Sequence, residues 1–219
     1  GPVGSEIVIT VVREGEDEPF DVTIVRDTIK LTAVRTRTQG DTVVLRVTTF
    51  NDQTYPNLED TLKEAVEGLG GMDKVNGFVL DLRNNPGGVL QPAVELADGF
   101  LEGGRIVSVK GRNTNMQMEF DARPGDWLPG IPVVLLVDRG SASASEVLAG
   151  ALQDHGRALV VGERTFGKGS VQSVLPLRNG GAIKLTTARY YTPNGRSIQA
   201  RGILPDVKVT FDDSDEPDA

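Results

Sequence analysis

The chain has 219 residues and a formal net charge of −8 at pH 7, with no cysteine and a single histidine. The negative charge argues against nucleic-acid binding, and the lack of cysteine excludes disulfides, thiolate nucleophiles and cysteine-based zinc or iron–sulfur sites. No segment approaches about 18 uninterrupted apolar residues, so the sequence predicts no transmembrane helix. An apolar content of 38% is enough for one large domain, or for a domain with a fragment of another.

The first part of the chain predicts a β-hairpin, with strands at 6–13 and 20–27 around an acidic turn. A β-rich stretch at 42–50 follows. The spacing of apolar residues then predicts a helix over 57–69, with Asn57 as its cap.

Two similar units come next, each with a buried strand, a loop and a helix. Their predicted strands are 77–82 and 131–137, and their predicted helices are about 91–101 and 146–154. Later strands are predicted at 158–162, 170–177 and 182–192, the last two as a hairpin. This alternation indicates an α/β core with its functional loops at strand ends.

Three serines lie in the loop GSASASE at 140–146, between the second buried strand and its helix. Ser143 and Glu146 match the S-x-x-E capping box, and capping alone explains a serine here. A serine at a strand-to-helix turn is also exposed beside free helix amides, which can stabilise an oxyanion. The G-x-S-x-G pattern is not met, so the residues alone leave capping and catalysis open.

A nucleophilic serine needs a base, and the single histidine is poorly placed to be one. His155 follows Ser143 on the same predicted helix at a rise of roughly 18 Å, so the two cannot share a proton. Lys168 stands between two glycines after a buried strand. Desolvation can lower the pKa of a lysine until its neutral amine is a competent base, although a solvated surface lysine is the alternative.

Two further features could support such a site. Gln172 shares a strand face with position 168 in an extended chain and could orient the lysine amine, or it could face solvent. The turn RNNPGG at 83–88 could present the N–H of Gly87 or Gly88 to an oxyanion, together with that of Ala144.

The segment GERTFGKG at 162–169 nearly matches a phosphate-binding loop. Gly169 stands where that motif needs a hydroxyl, and a strand pattern follows where it needs a helix. Both departures argue against nucleotide binding.

Three blocks together resemble the carboxyl-terminal processing peptidases, also called tail-specific proteases. The blocks are VLDLRNNPGG at 79–88, GSASASEVLAGALQDHGRALVVGERTFGKGSVQ at 140–172 and TTARYYTPNGRSIQARGILPD at 186–206. The resemblance covers nearly the whole chain from residue 22 onward. It implies an α/β fold, the ClpP/crotonase-like β-β-α spiral core with additional β-hairpins, and it implies no metal or cofactor.

The resemblance also assigns roles to individual residues. The family uses a serine and a lysine 25 positions apart, which implies Ser143 as nucleophile, Lys168 as base and Gln172 as the supporting glutamine. It implies an oxyanion hole built from the N–H groups of Ala144 and of Gly87 or Gly88. An acidic residue of the family falls on Asp154, for which we expect a structural or indirect role.

The same resemblance implies a domain organisation. Residues 1–29 would be the closing hairpin of a PDZ domain, residues 30–211 the catalytic core, and residues 212–219 an acidic disordered tail. The carboxylate-binding groove of the PDZ domain and a signal peptide would lie outside this sequence. We therefore expect a truncated core with reduced or deregulated activity toward tail-tagged substrates.

The implied partners are protein or peptide substrates with exposed C-terminal tails, with no nucleic acid and with a possible homo-oligomer. The implied location is the periplasm or another exported compartment. One alternative is a catalytically silent peptide-binding or scaffold protein of the same fold. Another is a crotonase-like acyl-CoA enzyme, which would have no use for a serine–lysine pair at this spacing.

Overall fold

The computed structural model describes residues 1–28, 32–112 and 117–209, and its contacts divide the chain into units 1–31 and 32–219. The predicted acidic tail at 212–219 lies outside the described residues. Among the helices of the described ranges, none is long and apolar enough to cross a bilayer.

Short strands outnumber helices in the described ranges. In chain order, the strands are β1 (Glu6–Val11), β2 (Phe20–Val25), β3 (Val34–Gln39), β4 (Thr42–Val47), β5 (Gly77–Asp81), β6 (Gly104–Gly111), β7 (Met118–Ala122), β8 (Val133–Val137), β9 (Ala158–Gly162), β10 (Ser170–Pro176), β11 (Ala182–Tyr191) and β12 (Val207–Lys208). The helices are α1 (Thr54–Gly68), α2 (Leu90–Asp98) and α3 (Ala144–Asp154), with a 3₁₀ turn at Met72–Lys74.

The smaller unit is the hairpin that the sequence predicts. Strands β1 and β2 pair antiparallel, with Glu6 opposite Val25 and Val11 opposite Phe20. The structure thus confirms the two strands, whereas their assignment to a PDZ domain stays a prediction.

The larger unit is built on a six-stranded sheet in the order β12-β9-β8-β5-β4-β3. Its strands run parallel from β12 to β4, and only β3 is antiparallel to its neighbour. Apolar side chains fill the central strands, as expected for a parallel sheet covered on both faces. The predicted α/β core is confirmed.

A second, antiparallel sheet has the order β10-β11-β6-β7. The predicted hairpin 170–177/182–192 forms two of its strands. Strands β6 and β7 were not predicted, although Ile106, Val107 and Val109 of β6 form a β-branched run that is fully buried.

Helix α3 lies in the core and contacts β9 of the first sheet and β6 of the second. Its residues 144–152 are all buried, as is typical of a helix that is enclosed on every side. Gly150 allows close packing, because a Cβ there would lie 2.7 Å from Cγ2 of Thr192. The core thereby fixes the N-terminus of α3, where Ser143 lies.

Helix α1 begins three residues earlier than predicted. Its N-cap is Gln53 and not Asn57, and the side chain of Asn51 accepts a hydrogen bond from the Gln53 N–H at 2.9 Å. Pro56 falls in the first turn of the helix, where backbone N–H groups have no intrahelical partner, so it does not interrupt the helix.

Candidate active site

Ser143 is the N-cap residue of α3, and its φ of 57° is one of three positive values for non-glycine residues in the described ranges. It forms the predicted capping box with Glu146, in which the Ser143 N–H donates to Glu146 Oε2 at 2.9 Å. The helix begins here because the strand β8 ends at Val137 and the loop 138–143 reverses the chain. The turn leaves Ser143 only partly buried.

The two neighbouring serines have structural partners. Ser141 and Ser145 are fully buried. The Ser141 hydroxyl donates to the carbonyl of Leu82 at 2.8 Å, and the Ser145 hydroxyl donates to that of Asn85 at 3.0 Å. Of the three serines in the loop, Ser143 alone is accessible to a substrate.

Glu146 is fully buried and organises the loops on both sides of it. Its Oε2 accepts from the backbone N–H of Ser143 at 2.9 Å and from that of Lys168 at 2.8 Å. Its Oε1 accepts from the hydroxyl of Thr165 at 2.5 Å and from the N–H of Gly167 at 2.7 Å. Because Ser143 and Lys168 share one acceptor atom, their backbone nitrogens are close neighbours.

The side chain of Lys168 is exposed. Within the described residues its ammonium makes no hydrogen bond or ion pair, and no hydrogen bond joins it to the Ser143 hydroxyl. The structure therefore brings the two backbones together without joining their reactive groups.

Gln172 lies on β10 with an exposed side chain, opposite Thr186 of β11. A bulge between Val171 and Gln172 interrupts the regular pairing, so the simple alternation from position 168 does not apply. No hydrogen bond between Gln172 and Lys168 is present in the described part of the chain.

The glycine turn at 83–88 packs directly on the serine loop, which is the segment 138–143 between β8 and α3. A Cβ on Gly87 would lie 2.6 Å from the carbonyl oxygen of Ala142 and 2.8 Å from the Cβ of Ser143, so only glycine fits. The Gly87 N–H donates to Asn85 Oδ1 at 2.9 Å. The N–H groups of Gly88 and Ala144 have no acceptor among the residues that the structure describes.

Two carboxylates that were not predicted as part of the site hold these loops. Asp138 accepts from the N–H of Asn84 in the glycine turn and from the N–H of Ser141 in the serine loop, at 2.9 and 3.0 Å. Asp81 is 3% exposed and pairs with the Arg83 guanidinium at 2.8 Å. No local motif in the sequence marks the role of Asp138, because it acts on a turn that is 54 residues away.

The other candidates have structural partners. His155 is the C-cap at the opposite end of α3, and its Nε2 is 2.7 Å from the carbonyl oxygen of Arg105, which confirms that it is remote from Ser143. Asp154 binds the Arg196 guanidinium and the Asn194 N–H, which supports the expected structural role. The segment 162–169 leads into a strand and not a helix, which contradicts a phosphate-binding loop.

Comparison with known proteins gives consistent matches. The model of peptidase family S41 matches residues 41–209. The carboxy-terminal-processing protease of Bartonella bacilliformis is 50% identical over 209 residues, which are 95% of this chain and 48% of that protein. The carboxyl-terminal-processing protease of Synechocystis sp. is 37% identical over 214 residues, with the same coverage of 95% and 48%.

A solved structure of the photosystem II D1 C-terminal processing protease superposes with a TM-score of 0.75 and 32% identity. It covers 96% of this chain, and the chain covers 57% of that protein. The chain thus spans about half the length of the curated relatives it matches.

Proposed function

Because the chain belongs to peptidase family S41, we propose that it is a serine endopeptidase that cleaves proteins near their C-termini. Ser143 is the nucleophile and Lys168 the general base. The observation that carries this proposal is the shared acceptor: one buried oxygen of Glu146 binds the backbone N–H of both residues. Capping of the helix at Ser143 requires the bond between Ser143 and Glu146, but it does not require the bond between Lys168 and Glu146.

The reaction follows from the groups at this place. The neutral amine of Lys168 takes the proton of the Ser143 hydroxyl, and the serine oxygen attacks the scissile carbonyl carbon. The negative charge on the carbonyl oxygen is stabilised by the N–H groups of Ala144 and Gly88, which have no other acceptor in the described chain. The Lys168 ammonium then protonates the leaving amine. A water molecule, deprotonated by the same lysine, hydrolyses the acyl-enzyme.

Gly88 is the better choice for the second donor, because the Gly87 N–H is bound to Asn85 Oδ1. Gly87 contributes through its size, since it lets the turn approach Ser143. Gln172 stays a proposed supporting residue that would accept a hydrogen bond from the lysine after a side-chain rotation.

Proton transfer requires the Lys168 side chain to turn toward Ser143. Both backbones are already held by Glu146, so rotation about side-chain bonds is the main movement needed. A bound substrate would cover the exposed lysine and exclude water from the site. Catalytic hydrogen bonds that form only with substrate are common in such sites.

The substrates we propose are polypeptides with accessible C-terminal tails, as the names of the relatives suggest. Export to the periplasm or a similar compartment, and association into a homo-oligomer, are further proposals that rest on the family alone.

Hydrolysis of an unfolded protein, such as reduced and alkylated casein, tests the proposal. We expect Ser143→Ala and Lys168→Ala each to lower the rate about 1000-fold or more, because the two residues act as a unit. Ser173→Ala and Lys184→Ala on the β10–β11 hairpin are the matched controls and should retain activity. A parent chain that binds but never cleaves would favour the silent scaffold, and activity that survives both dyad changes would refute the dyad.

A further inference from the structure

A pocket of about 600 Å³ is lined by residues from both loops of the proposed site. Arg139 comes from the serine loop, four positions before Ser143. Glu163, Arg164 and Phe166 come from the loop that leads to Lys168, and Leu204 and Lys208 come from the segment around β12. The proposed dyad chemistry does not use this pocket.

Hydrogen bonds fix the pocket beside the serine loop. The Phe166 N–H donates to the carbonyl of Ser141 at 3.0 Å. The Thr165 N–H donates to the carbonyl of Ile203 at 3.1 Å, and the Ile203 N–H returns a bond to the Thr165 hydroxyl at 2.7 Å. The same Thr165 hydroxyl binds Glu146, so the pocket wall and the proposed site share one network.

The pocket has an apolar part that is open to solvent. Phe166 is 69% exposed and Leu204 is 62% exposed. Large apolar side chains held open in a concave surface next to a reactive site are typical of ligand contact.

The charged part of the pocket is cationic, although the whole chain has a net charge of −8. Arg139, Arg164 and Lys208 face a single carboxylate, that of Glu163, which pairs with Arg139 at 2.9 Å. Arg164 and Lys208 have no acceptor among the residues that the structure describes. Two cations thus remain available to a bound anion.

We propose that this pocket is a specificity subsite that binds an acidic side chain of the substrate next to an apolar one. The inference rests on the proposed peptidase function. An extended chain advances about 3.3 Å per residue, so neighbouring residues of one substrate can reach both parts of the pocket. The apolar residue packs on Phe166 and Leu204, and the carboxylate pairs with Arg164 and Lys208.

The test measures peptide binding to the Ser143→Ala chain by fluorescence anisotropy. The peptides are made in pairs that differ only in carrying Leu-Glu or Leu-Gln, and successive pairs carry this dipeptide at successive positions. Every peptide has a C-terminal amide, so that a terminal carboxylate cannot contribute to binding. At one position we expect the Glu peptide to bind roughly fivefold more tightly, a preference of the size that exposed ion pairs provide, and to lose the preference at high salt.

Charge-matched variants decide where the preference arises. Arg164→Gln with Lys208→Gln should abolish it. Arg35→Gln with Arg37→Gln removes the same charge from β3, at the opposite edge of the six-stranded sheet, and should leave it unchanged. Because acidic residues follow Lys208 closely in sequence, a chain that ends at Val209 should keep the preference.

No Glu preference at any position, or a preference that survives the pocket variant, would overturn the inference. Hydrolysis of the Leu-Gln peptides by the parent chain is measured in parallel. Cleavage without a Glu preference contradicts the subsite alone, whereas a lack of cleavage with a preserved preference contradicts the proposed peptidase and leaves the pocket supported.

Discussion

Ser143 adopts a backbone conformation, φ 57° and ψ −113°, that costs a non-glycine residue about 1–3 kcal/mol. The surrounding bonds hold it there. Its N–H is bound by Glu146, the preceding residue Ala142 donates to the carbonyl of Asn85 at 3.0 Å, and α3 is anchored in the core. The strain is concentrated at the residue that we propose as nucleophile.

Glu146→Gln should weaken both the fold and the activity. The substitution turns one carboxylate oxygen into an NH₂ group that faces N–H donors, so at least one buried bond becomes a clash of donors. We expect a loss of about 2 kcal/mol in the free energy of unfolding, measured by urea denaturation, and a large loss of casein hydrolysis. Glu64→Gln on the exposed face of α1 is the control. Equal free energies of unfolding for Glu146→Gln and Glu64→Gln would show that the hydrogen bonds of Glu146 do not stabilise the loops around Ser143 and Lys168.

Gly87→Ala separates close contact from backbone strain. Gly87 and Gly180 both have positive φ, at 95° and 81°, but only at Gly87 would a Cβ collide with the serine loop. Both alanine variants should lose about 1 kcal/mol of stability from the left-handed conformation, and Gly87→Ala should lose more because its Cβ collides with the serine loop. Only Gly87→Ala should also lower kcat for peptide hydrolysis, because it displaces Ser143. Similar kcat values for the two would contradict this role.

At the residue scale, the sequence could indicate Ser143 and Lys168 as candidate site residues. It could not indicate that the carboxylate of Glu146 binds the backbone N–H of both. Glu146 matches a local capping motif, and that motif explains only one of its four hydrogen bonds. The other three donors lie 19 to 22 residues away and carry no recognisable spacing signal. The choice between Gly87 and Gly88 likewise depends on the side chain of Asn85, which no pattern in the sequence could place.

Among the elements, continuous apolar runs and the loops beside them predict the most buried segments best. The buried strands β5, β8 and β9 and the helix α3 were predicted nearly to their ends. The start of α1 was wrong because Asn51, and not Asn57, supplies the polar contact at its N-terminus. Strands β6 and β7 stand outside the repeated strand–loop–helix units. They pair with each other, and β6 also pairs with the distant β11, so no local repeat predicts them.

Strand β11 carries a group that should make stability depend on pH. Burial raises the pKa of Tyr190 above its ordinary value of about 10. The Tyr190 hydroxyl therefore ionises at a lower pH in the unfolded chain than in the folded one. Its contribution to the free energy of unfolding is complete below about pH 10 and is lost as the pH rises through the folded-state pKa. Tyr190→Phe should flatten the fall of the unfolding free energy above about pH 10, measured by urea denaturation. Parallel curves for parent and Tyr190→Phe would contradict this.

Viewed as a whole molecule, the chain consists of a hairpin unit and a larger α/β unit that have separate internal contacts. The larger unit contains all the residues of the proposed site and the apolar core around α3. A chain that begins at Thr32 should therefore keep a cooperative thermal transition with a Tm within about 2 °C of the parent. Differential scanning calorimetry checks this, and a broadened or much lower transition would show that the core depends on residues 1–31.

The buried carboxylate of Glu146 has a consequence for the order of events during synthesis. Its donors at Thr165, Gly167 and Lys168 leave the ribosome about twenty residues after it, and α3 also needs β9 as a packing partner. A nascent chain therefore carries Ser143 and Glu146 before the donors that hold Glu146 have been made. Ser143 therefore cannot reach its final backbone conformation until residues 165–168 have been synthesised and bound to Glu146.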